Sequence, residues 1–310
     1  MNGTFSFLLL AGVLASPGDT LVEVHEGDRL TLRDFAGVVY VQTWERPVLR
    51  VEPEDKESVP LRIVRSGNNL ELRVMDRGDR NRGEDLRLTM PPWMNLEITG
   101  QDVEVEVRGL DGDLTIRNFR GDLLLRELGG HVKAHTVEGS IEASYLTGSA
   151  QLRTGDDELS VANSSASLEL ETVAGEILLE GVDARRISAK TTAGEIEFFG
   201  RIQEGGDYVF FSHGGDIHLR LTPPVNLTAT ILAYQGEFES DFPVRAKGFR
   251  SGEGLDFTIG TGGARLVMET FDGEIQLLRG SEGGAPQDQR RDELQASRTQ
   301  GVTDSMREEL

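Results

Sequence analysis

Asn118-Phe119-Arg120-Gly121, Thr136-Val137-Glu138-Gly139, Thr154-Gly155-Asp156-Asp157, Thr172-Val173-Ala174-Gly175 and Thr191-Thr192-Ala193-Gly194 are five versions of one phrase, at intervals of eighteen, eighteen, eighteen and nineteen residues. A polar residue and then an alternating apolar pair follow each of them. A fixed period of this length marks a stacked-repeat architecture. Gly112, Gly121, Gly130, Gly139 and Gly148 lie nine residues apart, so two half-turns make one eighteen-residue rung. Alternation puts one side of each half-turn strand in a core and the other in water. The inward pairs of the principal half-turns are Leu123 and Leu125, Ile141 and Ala143, Leu159 and Val161, Ile177 and Leu179, and Ile196 and Phe198. Those of the alternate half-turns are Leu114 and Ile116, Val132 and Ala134, Ala150 and Leu152, Leu168 and Leu170, and Ile187 and Ala189. The fold class expected is all-β, a single-stranded β-solenoid (β-helix) with rungs of eighteen to twenty-one residues and a narrow, dry interior that holds no cofactor.

Outward from this ladder the same chemistry continues. Toward the N-terminus, alternating segments at Leu21–Val24, Leu30–Leu32, Val39–Val41, Val48–Val51, Leu61–Val64, Leu70–Val74 and Leu86–Leu88 read as short strands. A charged run from Asp76 to Glu84 reads as a solvated loop, and Pro91-Pro92 ends one strand and restarts the chain. Beyond Gly194 the phrases Ser212-His213-Gly214-Gly215 and Ala233-Tyr234-Gln235-Gly236 arrive at intervals of twenty-one. Ser251-Gly252-Glu253-Gly254 breaks the phase of the strand after it and Thr270-Phe271-Asp272-Gly273 restores it. Phe242, Phe249, Phe257 and Phe271 concentrate here and predict a wider, capped end. The domain reading is a signal peptide over 1–15, a β-rich part over 20–98 continuous with the solenoid, solenoid repeats over 99–280, and a disordered polar tail over 281–310. The signal peptide rests on the apolar run Phe5–Leu14, with Val13 and Ala15 as the small residues before the cleavage point.

Composition narrows the function classes. The 310 residues include 37 glycines and no cysteine, and carry a formal net charge of −21. Disulfides, thiolate metal sites and cysteine nucleophiles are therefore excluded. Acidic residues spread along the whole chain repel phosphate backbones, which argues against nucleic acid as a partner. No later segment is apolar enough for a transmembrane helix.

Thr172-Val173-Ala174-Gly175-Glu176-Ile177 and Thr191-Thr192-Ala193-Gly194-Glu195-Ile196 resemble the repeated T-x-S-G-D-I phrase of the bacterial "putative adhesin" family, exported β-helix proteins of unknown function related to the head-GIN domains. Gly37-Val38-Val39-Tyr40-Val41-Gln42-Thr43-Trp44 is similar to that family's first turn, and Ser212–Ile217 and Gly260–Ala264 to its end. The resemblance implies envelope or cell-surface association and supplies no catalytic residue. The sequence departs from the pattern where Asp157 replaces the turn glycine and where Ala166 stands in the next half-turn.

The most orderly polar feature is the residue after each principal turn: Asp122, Ser140, Glu158, Glu176, Glu195, Asp216, Glu237 and Glu274. Rungs stack about 4.8 Å apart, so these would line one corner as an acidic column. Its seven carboxylates (Asp122, Glu158, Glu176, Glu195, Asp216, Glu237, Glu274) read either as solvated turn residues or as ligands for a hard cation, calcium being the natural candidate. Asp156-Asp157-Glu158 is the dense acidic cluster a glycosidase reading would use, but it has no aromatic platform beside it, and the two tryptophans, Trp44 and Trp93, lie outside the regular ladder. His25, His131, His135, His213 and His218 read as solvated, since none has a third ligand in view. The functional expectation is a non-enzymatic, exported solenoid that binds an envelope or surface component, protein or glycan, through its polar outer face. A polysaccharide-active enzyme on the same scaffold is the alternative.

Overall fold

The computed structural model describes residues 12–14, 20–54, 61–74, 85–244 and 254–280. Most of the signal-peptide segment, the charged run, the start of the phrase at 251 and the polar tail lie outside the described residues. Strands at Leu114–Arg117, His131–His135, Ser149–Arg153, Ser167–Glu171, Arg186–Thr191 and Asp207–Ser212 pair in parallel in that order and form sheet A. Strands at Leu123–Arg126, Ile141–Ser144, Leu159–Ala162, Ile177–Val182, Ile196–Gly200 and Ile217–Leu221 do the same and form sheet B. The chain alternates between the sheets, so each rung gives one strand to each. Register follows the sequence interval: Leu123 pairs with Ile141, Ile177 with Ile196, and Ile196 with Ile217.

All twenty residues read as inward are buried, none more than 3% exposed. Each contributes about 1–3 kcal/mol of apolar burial depending on its size. The interior widens toward the later rungs, where Phe198, Tyr208 and Phe210 are wholly buried and the Phe198 and Phe210 rings lie 5.7 Å apart. Tyr208 enters such a core because its hydroxyl is satisfied: it donates to Ala184 O at 2.7 Å and accepts from Gln203 N at 2.8 Å. Burial pushes its phenol above the usual range.

Both ends depart from simple succession. The segments read as two strands at Leu30–Leu32 and Val39–Val41 are one strand, Arg29–Thr43, which passes from sheet A to sheet B across a bulge. Asn95–Arg108 lies in parallel along its length. The bend is made by left-handed backbone at Asp34 (φ 52) and Gly37 (φ 113), so no separate turn is needed. Asn69–Val74 and Leu86–Met90 then pair on the outer side of Arg29–Thr43. Antiparallel strands follow, Leu61–Ser66 and then Gly12–Leu14 on sheet A, and Val48–Pro53 and then Thr20–Glu23 on sheet B.

At the other end the rungs do not follow the order of the sequence. Ala264–Thr270 pairs directly with Asp207–Ser212, and Ile275–Arg279 directly with Ile217–Leu221. Leu227–Ala233 and Phe238–Ser240 lie outside them. The rung that comes last in sequence is therefore inserted between two earlier ones. After Leu221 the longer connection through Pro223 and Pro224 carries the chain past one rung position, and the segment after Gly254 returns to fill it. Leu255–Ile259 closes sheet A in antiparallel pairing, and Phe238 packs on Phe257 with ring centres 5.9 Å apart. Phe242 and Phe257 are buried as a capped end requires, whereas Phe271 is 40% exposed.

Candidate binding corner

The repeated phrase forms the corner where the chain leaves sheet A and enters sheet B. Its first residue is buried in every rung from Asn118 to Thr270: Asn118, Thr136, Thr154, Thr172, Thr191, Ser212 and Thr270. Each hydroxyl donates to a carbonyl of the adjacent rung's turn, as Thr154 Oγ1 does to Gly139 O at 2.6 Å, Ser212 Oγ to Gly194 O at 3.1 Å and Thr270 Oγ1 to Gly215 O at 3.1 Å. At Thr172, Thr191 and Ser212 the same oxygen also accepts from the turn within its own rung, Gly194 N to Thr191 Oγ1 at 3.0 Å and Gly215 N to Ser212 Oγ at 2.9 Å. The turn glycines stack just as closely. A Cβ on Gly194 would sit 1.9 Å from Gly175 O, and one on Gly215 2.0 Å from Gly194 O. At Asp157, which interrupts the glycines, the carboxylate instead accepts Gly139 N at 2.8 Å. Conserving the turn here takes a side chain that bonds across rungs.

The second residue of the phrase faces water. Phe119, Val137, Val173, Tyr234 and Phe271 are exposed by 46%, 39%, 55%, 38% and 40%, unusually open for side chains of this size. Because of the inserted rung, Phe271 stands between His213 and Tyr234. Its ring stacks on His213 at 5.1 Å and lies 5.8 Å from Tyr234. An apolar ridge, interrupted at Gly155 and Thr192 and aromatic at its far end, thus runs along the corner.

The acidic column runs beside this ridge, with Glu274 between Asp216 and Glu237. Its members do different things. Asp122 Oδ1 accepts Ser140 N at 2.8 Å and Ser140 Oγ at 3.0 Å, and Asp216 Oδ1 accepts Glu274 N at 2.7 Å. Glu274 accepts Gln276 Nε2 at 2.9 Å, while Glu195 approaches His218 Nδ1 at 2.7 Å. Glu176 is half-buried and engaged, and Glu158 and Glu237 are exposed. Among the described residues the column brings no three of its carboxylates to one point; the single convergent group combines Glu195 with Glu197 and His218.

Residues 49–278 match the family described as Toastrack DUF4097. The chain belongs to the Toastrack DUF4097 family. No curated protein matches it. Solved structures similar to this Toastrack chain include one described as a "putative adhesin" from Bacteroides fragilis, 13% identical over 84% of this chain and 96% of that one, with a TM-score of 0.40. A "putative lipid binding protein" from Parabacteroides distasonis is 12% identical over 84% and 96%, at 0.41, and a "putative cell adhesion protein" from Clostridium sporogenes 10% identical over 87% and 100%, at 0.21. Likeness at this level carries nothing about what the Toastrack chain binds.

Asp156, Asp157 and Glu158 are all exposed on the convex corner, and one Asp157 oxygen is taken by Gly139 N. Trp44 donates to Val48 O at 2.7 Å with Arg46 over its ring, and Trp93 packs against the core. The concavity lined by Tyr145, Asn163, Ser164 and Asp183 is shallow and open. Of the histidines, His25, His131 and His135 are exposed, and His131 lies 3.1 Å from Asp113. His213 is exposed but stacked, whereas His218, half-buried against Glu195, corrects the solvated reading.

Proposed function

We propose that this Toastrack protein is a non-enzymatic, exported binding module of the cell envelope, and that it engages a surface protein along the corner that carries the ridge. The observation that supports the reading is the run of exposed apolar side chains from Phe119 through Val137 and Val173 to the His213–Phe271–Tyr234 stack, flanked by carboxylates. Large rings are enriched at interface anchors, and an acidic rim selects against anionic partners. A partner with apolar and basic side chains is the complement. Export rests on the apolar run Phe5–Leu14; among the described residues no helix is long and apolar enough to cross a membrane.

The test compares the wild-type chain with the combined variant Phe119→Ser, Val173→Ser, Tyr234→Ser, Phe271→Ser against two immobilised panels, cationic amphipathic peptides and envelope glycans. The expected result is peptide binding that weakens with salt and falls more than tenfold in the variant at an unchanged melting temperature. Glycan binding alone, or equal peptide binding by both proteins, contradicts the reading.

A further inference from the structure

The outer face of sheet B carries a cluster that shares Glu195 with the acidic column of the corner. In parallel register Glu197 pairs with His218 on the next strand, and Glu195, two residues before Glu197, projects on the same face. Glu195 Oε1 lies 2.7 Å from His218 Nδ1, and one ligand atom from each of Glu195, Glu197 and His218 lies within 4.8 Å of the other two. The Glu195 and His218 side chains are 38% and 26% exposed, so water screens that pair only in part. Among the described residues His218 Nε2 is shut off from solvent and has no hydrogen-bond partner, so Nδ1, beside Glu195, is the ring nitrogen open to a ligand.

The neighbouring acids are engaged elsewhere. Glu274 is held by Gln276 Nε2 and Asp216 by Glu274 N, and the three ligand atoms that converge span two rungs. One imidazole nitrogen and two carboxylate oxygens are the donor set of a first-row dication such as zinc, which binds both at about 2.0–2.2 Å. Calcium takes six to eight oxygen ligands and gains nothing from an imidazole.

We propose that Glu195, Glu197 and His218 form a site for a zinc-class divalent cation that ties strand Ile196–Gly200 to strand Ile217–Leu221. Water completes the coordination, and the ion joins rungs where the repeat lengthens from nineteen to twenty-one residues.

The experiment strips the full chain with chelator and measures equilibrium zinc binding and melting temperature, with calcium as the comparison ion. One zinc per chain is expected, with a melting rise of about 5 °C at a hundredfold excess over Kd. Glu197→Gln and His218→Gln should each lower zinc affinity at least tenfold, while the double variant His131→Gln, His135→Gln binds as wild type. Melting of the metal-free variants shows that they fold. The proposal is overturned by absence of zinc binding in the wild type, by binding that survives both single variants, by equal loss in the His131/His135 variant, or by calcium giving the same site-dependent shift.

Discussion

Replacing Gly215 by alanine is expected to destabilise the protein by about 3–5 kcal/mol, while alanine at the adjacent Gly214 stays within about 0.5 kcal/mol of wild type. The two glycines share one turn and differ in what a methyl would meet. At Gly215 it would lie 2.0 Å from Gly194 O and 2.6 Å from Gly194 C, which is backbone of the rung beneath and has no rotamer to change. At Gly214 the nearest atom is Thr192 O, at an ordinary 3.6 Å. Neither residue has a positive φ, so strain of the backbone itself does not enter. Denaturant midpoints of the two variants are the measurement. Equal midpoints would mean that the turns are not stacked as described.

Ser212→Ala is the second large effect, with an expected loss of about 2–4 kcal/mol. The hydroxyl has no solvent exposure, donates to Gly194 O and accepts from Gly215 N, so its removal strips a donor from one rung and an acceptor from the next. Ser212→Thr should recover nearly all of that loss, because threonine fills the same place at Thr136, Thr154, Thr172, Thr191 and Thr270. A threonine variant as unstable as the alanine one would show that cavity shape matters there and the hydrogen bonds do not.

Much of this was legible before any coordinates. The inward columns followed from period and alternation, since a residue repeating at the rung interval must meet its counterpart on the same face. The first residue of the phrase was harder: threonine at a turn reads as solvated, and only stacking shows that its hydroxyl is shared between rungs. Rung order at the ends was not legible at all. A period gives the length of a rung and is silent about which rung lies beside it, so the phrase at Thr270 reads as the last rung whether or not it is inserted. The connector through Pro223 and Pro224 and the broken phase at Ser251 are the traces the insertion left, and neither says which rung lies beside which. His218 was half legible. The interval of twenty-one that takes Ile196 to Ile217 also takes Glu197 to His218, and applying it to outward residues as well as inward ones would have found the pair.

The ridge at Phe271 and the partners that occupy Glu274 and Asp216 all depend on the inserted rung, and a disulfide scan tests that insertion most directly. The chain has no cysteine to interfere. Residues 213 and 271 follow the in-register pair Ser212 and Thr270, so their Cα atoms are about 4.8 Å apart, inside the range a disulfide spans. Residues 213 and 234 are two rungs apart, at about 9.6 Å, and outside it. Mild oxidation of His213→Cys/Phe271→Cys should close a disulfide nearly completely, and that of His213→Cys/Tyr234→Cys should leave both thiols free. Closure of the 213–234 pair, with 213–271 open, would contradict the inserted rung and the corner built on it.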